Sequence, residues 1–388
     1  MANWQYKKLG DICSVFTDGN WIESKDQSPE GIRLIQTGNI GNGVFKDKGD
    51  KARYISEETF DRLSCTEIFE GDVLVSRLPE PIGRSCILPK LDQRTITAVD
   101  CSILRFKDEL LNKFFVFYTL SPAYDRALKN YITGSSRKRI SRSNLSLIKV
   151  PVPSIEEQQR IVDELDLLSG IIDKKNAQLR DLDALAQSIF YEMFGDPSEP
   201  KYPVAKLSSL ATGKLSYGSG ASAIDFDGNT RYIRITDIQE DGRLSPEAMS
   251  PSQSDAKYLL NDGDILFARS GATVGKTYLY DSKDGHAIYA GYLIRFVPNQ
   301  EIVLPEYIYH FTRSHYYKTF IASNAQAVAQ PNINAQQYGN LNVCIPPISV
   351  QKAFAQKIRF LESKRELICS SLKDTQTLLD SRMSHYFD

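Results

Sequence analysis

Apolar side chains recur at alternating steps of four and three through Ile161, Leu165, Leu168, Ile172, Leu179, Leu182, Ala186, Ile189 and Met193, with Lys175 at the one charged step. The same spacing runs through Phe354, Ile358, Leu361, Ile368, Leu372, Leu379 and Tyr386, interrupted by Arg365, Thr375 and Arg382. A seam of this period predicts two long helices that pair as a coiled coil. About 38 residues at roughly 1.5 Å each make a rod of about 57 Å. The charged seam positions predict a short pair with a defined register, since a uniform zipper would carry only apolar residues there.

Ahead of each seam the pattern changes. Short apolar, β-branched runs such as Ile68–Ser76 and Ile265–Ala268 lie beside Gly-Asp turns and predict strands. More helical stretches follow at 110–131 and 305–322, the first expected to break or bend at Pro122. Proline-punctuated exits, VPVP at 150–153 and IPP at 345–347, close each globular part.

These correspondences reflect an internal repeat. Ile140 answers to Ile333, Pro153 to Pro346, Gln158 to Gln351 and Phe194 to Phe387, each pair 193 residues apart. EGDVLVSRLPEPIGR from Glu70 answers to DGDILFARSGATVGK from Asp262 at 192, and RLIQTGNI from Arg33 to RYIRITDI from Arg231 at 198. The offset changes only between matched blocks, as when loops alter in length within one shared fold. The expected architecture is α+β: two mixed α/β domains in tandem at 1–153 and 196–347, each followed by a helix, at 154–195 and 348–388. Antiparallel pairing of the helices would give the molecule a pseudo-two-fold axis.

Composition narrows the class. With 388 residues, 41% hydrophobic and 24% charged, the chain is expected to be a soluble globular protein of two or more domains. No apolar run is long enough to span a bilayer, the amino terminus lacks an apolar signal core, and six cysteines without CxxC spacing read as reduced thiols. A cytoplasmic protein is expected.

The net charge of −1 excludes a uniformly basic coat, but its distribution is uneven. Between Asp125 and Glu156 there is no acidic residue, yet Arg126, Lys129, Arg137, Lys138, Arg139, Arg142 and Lys149 lie there. A second acid-free window between Glu306 and Glu362 holds Arg313, Lys318, Lys352, Lys357 and Arg359.

Catalytic and cofactor motifs are absent from the sequence. SGATVGKT at 270–277 has Ser270 where a phosphate-binding loop requires glycine, and TYLYD after it reads as a strand where that loop needs a helix. TGNIGNG at 37–43 lacks the dinucleotide spacing and reads as a turn. His310 and His315 have no further ligands at metal spacing. No Gly-x-Ser-x-Gly elbow occurs, nor the Asn/Asp-Pro-Pro-aromatic loop by which amino-methyltransferases hold a flipped base. Neither catalysis, a metal nor a cofactor is expected.

What remains is recognition. GSSRKRISRSN, at 134–144, combines small residues with Arg137, Lys138, Arg139 and Arg142, a composition suited to phosphates and guanine edges. Its counterpart SNAQAVAQPNINAQQ, at 323–337, offers Asn324, Gln326, Gln330, Asn332 and Asn334, whose amides pair well with adenine. The turns after the Gly-Asp strands place Ser76 and Arg77 at a position matched by Arg269 and Ser270; the alternative for the arginines is a structural salt bridge. Loops at 17–21 and 217–219, including Tyr217, add further polar candidates.

The two exits, LSLIKVPVPSIEEQQ and YGNLNVCIPPISVQK, the GDxLxxRxxxxxG blocks at 71–83 and 263–275, and the helix endings EMFGDP and HYFD together resemble the specificity subunit of type I restriction–modification systems. The second exit departs from that pattern, with Ser349 and Val350 where Glu156 and Glu157 stand in the first. The resemblance implies two target recognition domains, each reading half of a split double-stranded DNA site, and paired helices that fix the gap. It further implies two adenine methyltransferase subunits docked on the helices, at residues the sequence does not identify, and two motor–nuclease subunits. Different loops in the two domains imply an asymmetric site. Two alternatives stay open: a self-contained DNA-modifying enzyme, and a coiled-coil scaffold that binds other proteins.

Overall fold

The computed structural model describes residues 4–134, 138–325 and 331–388. The chain forms two compact units, Met1–Lys175 with Ser370–Asp388, and Asn176–Cys369.

At the centre of the first unit the strand Val73–Ser76 pairs antiparallel with Ser85–Ile87 on one side and Cys101–Phe106 on the other, and Cys13–Asp18 adds beyond the latter. A second four-stranded sheet contains a parallel pair, Ile32–Ile35 with Thr95–Thr97. The second unit repeats the central sheet and the parallel pair, which there forms a two-stranded sheet. Ile265–Ala268 lies between Thr277–Leu279 and Leu293–Phe296, with Ser216–Tyr217 outermost, and Arg231–Ile233 runs parallel to Ala287–Tyr289.

The central strands are buried on both faces, which is why their sequences read as unbroken apolar runs instead of alternating ones. Val73, Val75 and Leu104 face one core and Leu74, Ile103 and Cys86 another. In the second unit Ile265, Phe267, Ile294 and Phe296 divide in the same way from Leu266, Ala268 and Leu293. The expected strand at 68–76 is shortened to its second half, because residues 69–72 form the turn that the motif aspartate closes. Asp72 accepts from the Phe69 amide at 2.9 Å and from Arg105 Nε at 2.6 Å. Its counterpart Asp264 accepts from the Asn261 amide at 2.7 Å and pairs with Arg295 at 2.6 Å. The glycine that ends the motif has an equally local cause. Gly83 and Gly275 have φ of 84° and 87°, and a Cβ there would fall 2.4 Å from Leu128 or 2.8 Å from Ile321.

The helical stretch at 110–131 divides into Asn112–Tyr118 and Pro122–Lys129, with Pro122 in the first turn of the second helix, where a missing N–H costs nothing. The second copy breaks at the matching place, into Pro305–Phe311 and His315–Ala325, without a proline. The shared cause is a serine. Ser121 accepts from the Tyr124 amide at 3.3 Å and Ser314 from the Tyr317 amide at 3.2 Å, each starting a new helix.

Two 40-residue helices, Ile155–Phe194 and Ile348–Phe387, complete the chain. Their amino-terminal turns are tied to the globular parts by fully buried glutamines. Gln158 accepts from the Leu111 amide at 2.8 Å and donates to the Glu109 and Pro153 carbonyls at 2.8 and 2.9 Å. Gln351 repeats this with the Leu304 amide and the Ile302 and Pro346 carbonyls at 2.8, 3.0 and 2.8 Å.

Within each unit the helix segments pair antiparallel, and the charged seam positions are satisfied across the pair. In the first unit Lys175 donates to the Ser371 carbonyl at 2.8 Å and to Thr375 Oγ1 at 2.6 Å, while Arg382 and Tyr386 converge on Glu164. In the second unit Arg365, 7% exposed, donates to the Leu179 carbonyl at 3.0 Å and pairs with Asp183. Every expected seam position of the second helix is buried or half-buried. The same holds for the first helix, although at its end Phe190 and Phe194 are buried more deeply than the half-buried Ile189 and Met193. There the helix packs on the aromatic cluster of Tyr307 and Phe354, which selects an adjacent face. Among the described residues no helix is long and apolar enough to cross a membrane.

Gln158→Ala or Gln351→Ala leaves one amide and two carbonyls without their partner, a loss expected to destabilise the protein by ~1–3 kcal/mol. Equilibrium denaturation checks this; an unchanged midpoint would show that water replaces the amide at no cost.

Candidate nucleic-acid interface

In the first unit the basic segment sits on a small hairpin, Ile132–Thr133 paired with Arg139–Ile140. Lys138 and Arg139 are exposed, and neither has an ion-pair partner among the described residues. Arg142 is also exposed, as the first residue of the short helix Arg142–Ser146, which Ser141 caps by accepting from the Asn144 amide at 3.1 Å. Ile140 and Leu145, fully buried, anchor both ends of this segment in the core, so the cations project from a fixed base. Arg137 lies outside the described residues. An exposed group of cations without carboxylates is suited to a polyanion, with counterion release driving the association.

The matching segment of the second unit is differently committed. Asn334 caps the helix Ala335–Gly339, accepting from the Gln337 amide at 2.9 Å. Asn324 donates to the Phe320 carbonyl at 2.8 Å within its own helix. Asn332 is exposed, its backbone bridged to Ser270. Gln326 and Gln330 lie outside the described residues. The expectation of five reading amides is therefore narrowed: Asn324 Nδ2 and Asn334 Oδ1 serve the local backbone, while Asn332 and the remaining amide group of Asn334 are exposed.

The turns after the central strands need a further correction. Ser76 is fully buried and Ser270 is 6% exposed, so neither hydroxyl faces solvent. Arg77, 7% exposed, donates to the Val99 carbonyl at 2.7 Å and the Ile140 carbonyl at 3.2 Å, and lies 3.2 Å from Asp18. It takes the structural alternative. Arg269 differs: it is half-buried, with its guanidinium over the Tyr217 ring at 4.8 Å, and Tyr217 accepts from the Ala335 amide at 3.0 Å.

Titratable groups elsewhere take structural roles. Burial, reinforced by Arg313 and Arg243, pushes the pKa of His310 down to about 3, so this ring is neutral, and it packs against Phe354 at 5.3 Å. Burial pushes the Cys13, Cys86 and Cys101 thiols up to about 12, away from the range of a working nucleophile. Among the described residues no group of three or more His, Cys, Asp or Glu is placed to hold a metal.

Against this geometry, residues 1–181 and 204–370 each match the type I restriction modification DNA specificity domain. The two matches cover most of the chain and fall on its two repeats. The chain belongs to that family.

Among its relatives, the MjaVIII specificity subunit of Methanocaldococcus jannaschii is 22% identical, the alignment covering 94% of this chain and 87% of that one. The EcoKI specificity subunit of Escherichia coli is also 22% identical, over 67% of this chain and 61% of that one. The solved S subunit of the type I restriction–modification system from M. genitalium aligns over 98% of this chain and 95% of its own at a TM-score of 0.57, with 13% identity. A chain from a study of assembly and conformational transition in the type I R-M system covers 100% of this one and 98% of its own at 0.56, with 16% identity. As specificity subunits go, this one has two units with the same central sheet, whose loops have diverged from basic to amide-rich.

Replacing Lys138, Arg139 and Arg142 by alanine together should weaken DNA binding and flatten its dependence on salt, since about three fewer counterions are released. A titration series between low and moderate salt reads the slope directly; an unaltered slope would place this segment away from the phosphates.

Proposed function

We propose that the chain confers sequence specificity on a type I restriction–modification complex and is itself non-catalytic. Each of its two repeats reads one half of an interrupted DNA site. The observation that carries this reading is the tandem match of a DNA specificity domain to both repeats, on two units whose central four-stranded sheets share one strand order. Divergence between the candidate reading segments supports different half-sites, hence an asymmetric target. The long helices, each begun in one unit and finished in the other, fit a spacer that sets the gap between half-sites. The domain limits 1–153, 154–195, 196–347 and 348–388 belong to this reading.

The same helices offer a surface for partners. Leu167 and Phe360, at matching positions of the repeat, are 66% and 60% exposed, and the matched Leu185 and Leu378 are 46% and 49% exposed. Exposed apolar side chains repeated on both helices support two equivalent docking faces, one for each of two adenine methyltransferase subunits. Motor–nuclease subunits would join such an assembly to make the cutting complex.

The test is to co-express the chain with the methyltransferase encoded beside it and map modified adenines on host DNA. Methylation confined to a two-part interrupted motif, and lost when this chain is omitted, is the expected result. A stable complex that leaves no such motif would favour a protein scaffold instead.

A further inference from the structure

Superimposing the hydrogen-bond patterns of the two units gives Arg77 and Arg269 the same place in opposite surroundings. In the first unit the Gly19 amide donates to the Cys101 carbonyl at 3.0 Å and the Asn20 amide to that of Thr97 at 2.9 Å. In the second the Gly218 amide donates to the Leu293 carbonyl at 3.3 Å and the Ser219 amide to that of Tyr289 at 2.8 Å. A Cβ on Gly19 would fall 2.1 Å from the Thr97 oxygen, and one on Gly218 2.3 Å from the Tyr289 oxygen, so this close approach fixes the correspondence. Asp18 is therefore the counterpart of Tyr217. The Arg77 amide donates to the Asp100 carbonyl at 2.9 Å and the Arg269 amide to the Tyr292 carbonyl at 3.0 Å, which makes Asp100 the counterpart of Tyr292. Both carboxylates beside Arg77, Asp18 at 3.2 Å and Asp100 at 3.9 Å, are thus tyrosines beside Arg269.

The consequence is chemical. Arg77 has its charge neutralised by Asp18, and both terminal nitrogens of its guanidinium donate to carbonyls, although its Nε makes no hydrogen bond. Arg269 has no carboxylate within ion-pair distance and no acceptor for any of its guanidinium nitrogens among the described residues; its Nε is buried and unsatisfied, as is that of Arg77, but its two terminal nitrogens also lack an acceptor. It lines an open concavity of about 660 Å³ together with Ser219, Tyr232, Arg234 and Tyr292. Arg234 is already paired with Asp237 at 2.7 Å, which leaves Arg269 as the unpaired cation of that wall among the described residues. Tyr292 and Tyr217 are 60% and 42% exposed. An arginine desolvated on one edge, stacked on an aromatic ring and stripped of carboxylates is poised for an acceptor from outside, and its planar fork matches a guanine O6/N7 edge.

We infer that Arg269, supported by Tyr217 beside Tyr292, reads a guanine in the half-site of the second unit, while the carboxylate cage of the first unit withholds Arg77 from the same task. The inference rests on the reading of the chain as a DNA specificity subunit. A backbone phosphate offers the same acceptor oxygens, so the test separates the two sources.

The complex with its methyltransferase is prepared with the wild-type chain, Arg269→Ala, Arg269→Lys and Tyr217→Asp, and modified adenines are mapped for each. Arg269→Ala and Arg269→Lys are expected to relax one guanine position in one part of the motif, discrimination there falling about 10-fold or more, with the other part unchanged. Tyr217→Asp, which restores the carboxylate of the first unit, should relax the same position with the arginine still present. A lysine variant that keeps the wild-type motif would assign Arg269 to a phosphate and overturn the guanine contact. If Arg269→Ala abolishes methylation altogether, the aspartate variant decides: relaxation at one position supports the contact, an unchanged motif overturns it. A wild-type complex without any interrupted motif would sink the DNA-reading assignment itself, whereas a wild-type motif untouched by all three variants would sink only the role of Arg269.

Discussion

The arrangement depends on how a long helix is fastened to a small sheet domain, and a buried glutamine does this twice. Gln158 and Gln351 each satisfy one amide and two carbonyls at the point where the proline-rich exit becomes helix. An apolar residue there would leave three backbone groups unmet, and a charged one would pay the cost of desolvation. Because both bonding ends of the amide are used, the first turn of the helix has one orientation on its domain. A specificity subunit that measures a distance needs this joint to be stiff. The seam then extends the constraint: Lys175, Arg365 and Arg382 are each satisfied across the pair in this register, and sliding by a turn would break those bonds.

Within each domain the parts that must stay constant are separated from those that vary. The central strand is sandwiched between two cores, its entry turn closed by an aspartate–arginine pair and its exit turn held by a positive-φ glycine against a helix. The segments after it carry no such load. One is a hairpin bearing cations, the other a cap followed by amides, and the flanks of the shared arginine have changed from two aspartates to two tyrosines. A reader of this construction changes what it recognises by altering side chains around a fixed frame.

Much of this was legible in the sequence. The helix seam, the tandem repeat and the matched exits follow from spacing alone, because period and offset survive substitution. The sequence points to Pro122 as the cause of the break at 119–121, yet Ser314 makes the same break without a proline; a short capping serine is a weaker signal than a ring but has the same effect. The site was less legible. Arg77 and Arg269 occupy matching positions with opposite fates, and the deciding residues lie between fifty and sixty residues upstream and 23 downstream, brought together only by strand pairing. Asn334 and Asn324 read as base-pairing amides because composition does not reveal that the backbone beside them needs an acceptor and a donor. Phe190 and Phe194 are buried more deeply than the seam residues Ile189 and Met193 beside them because the aromatic cluster they meet comes from another part of the chain.

The central claim, that paired helices joined stiffly to two readers set the gap between half-sites, is tested most directly by removing one heptad from the middle of each long helix. Seven residues account for about 10 Å of helix, or roughly three base pairs of duplex, and whole-heptad removal preserves the seam. Mapped adenine methylation by the shortened complex should show both half-sites unchanged and the gap between them reduced by about that amount. Both half-sites retained at the original spacing would contradict the account, because the gap would then be set by something other than the helices.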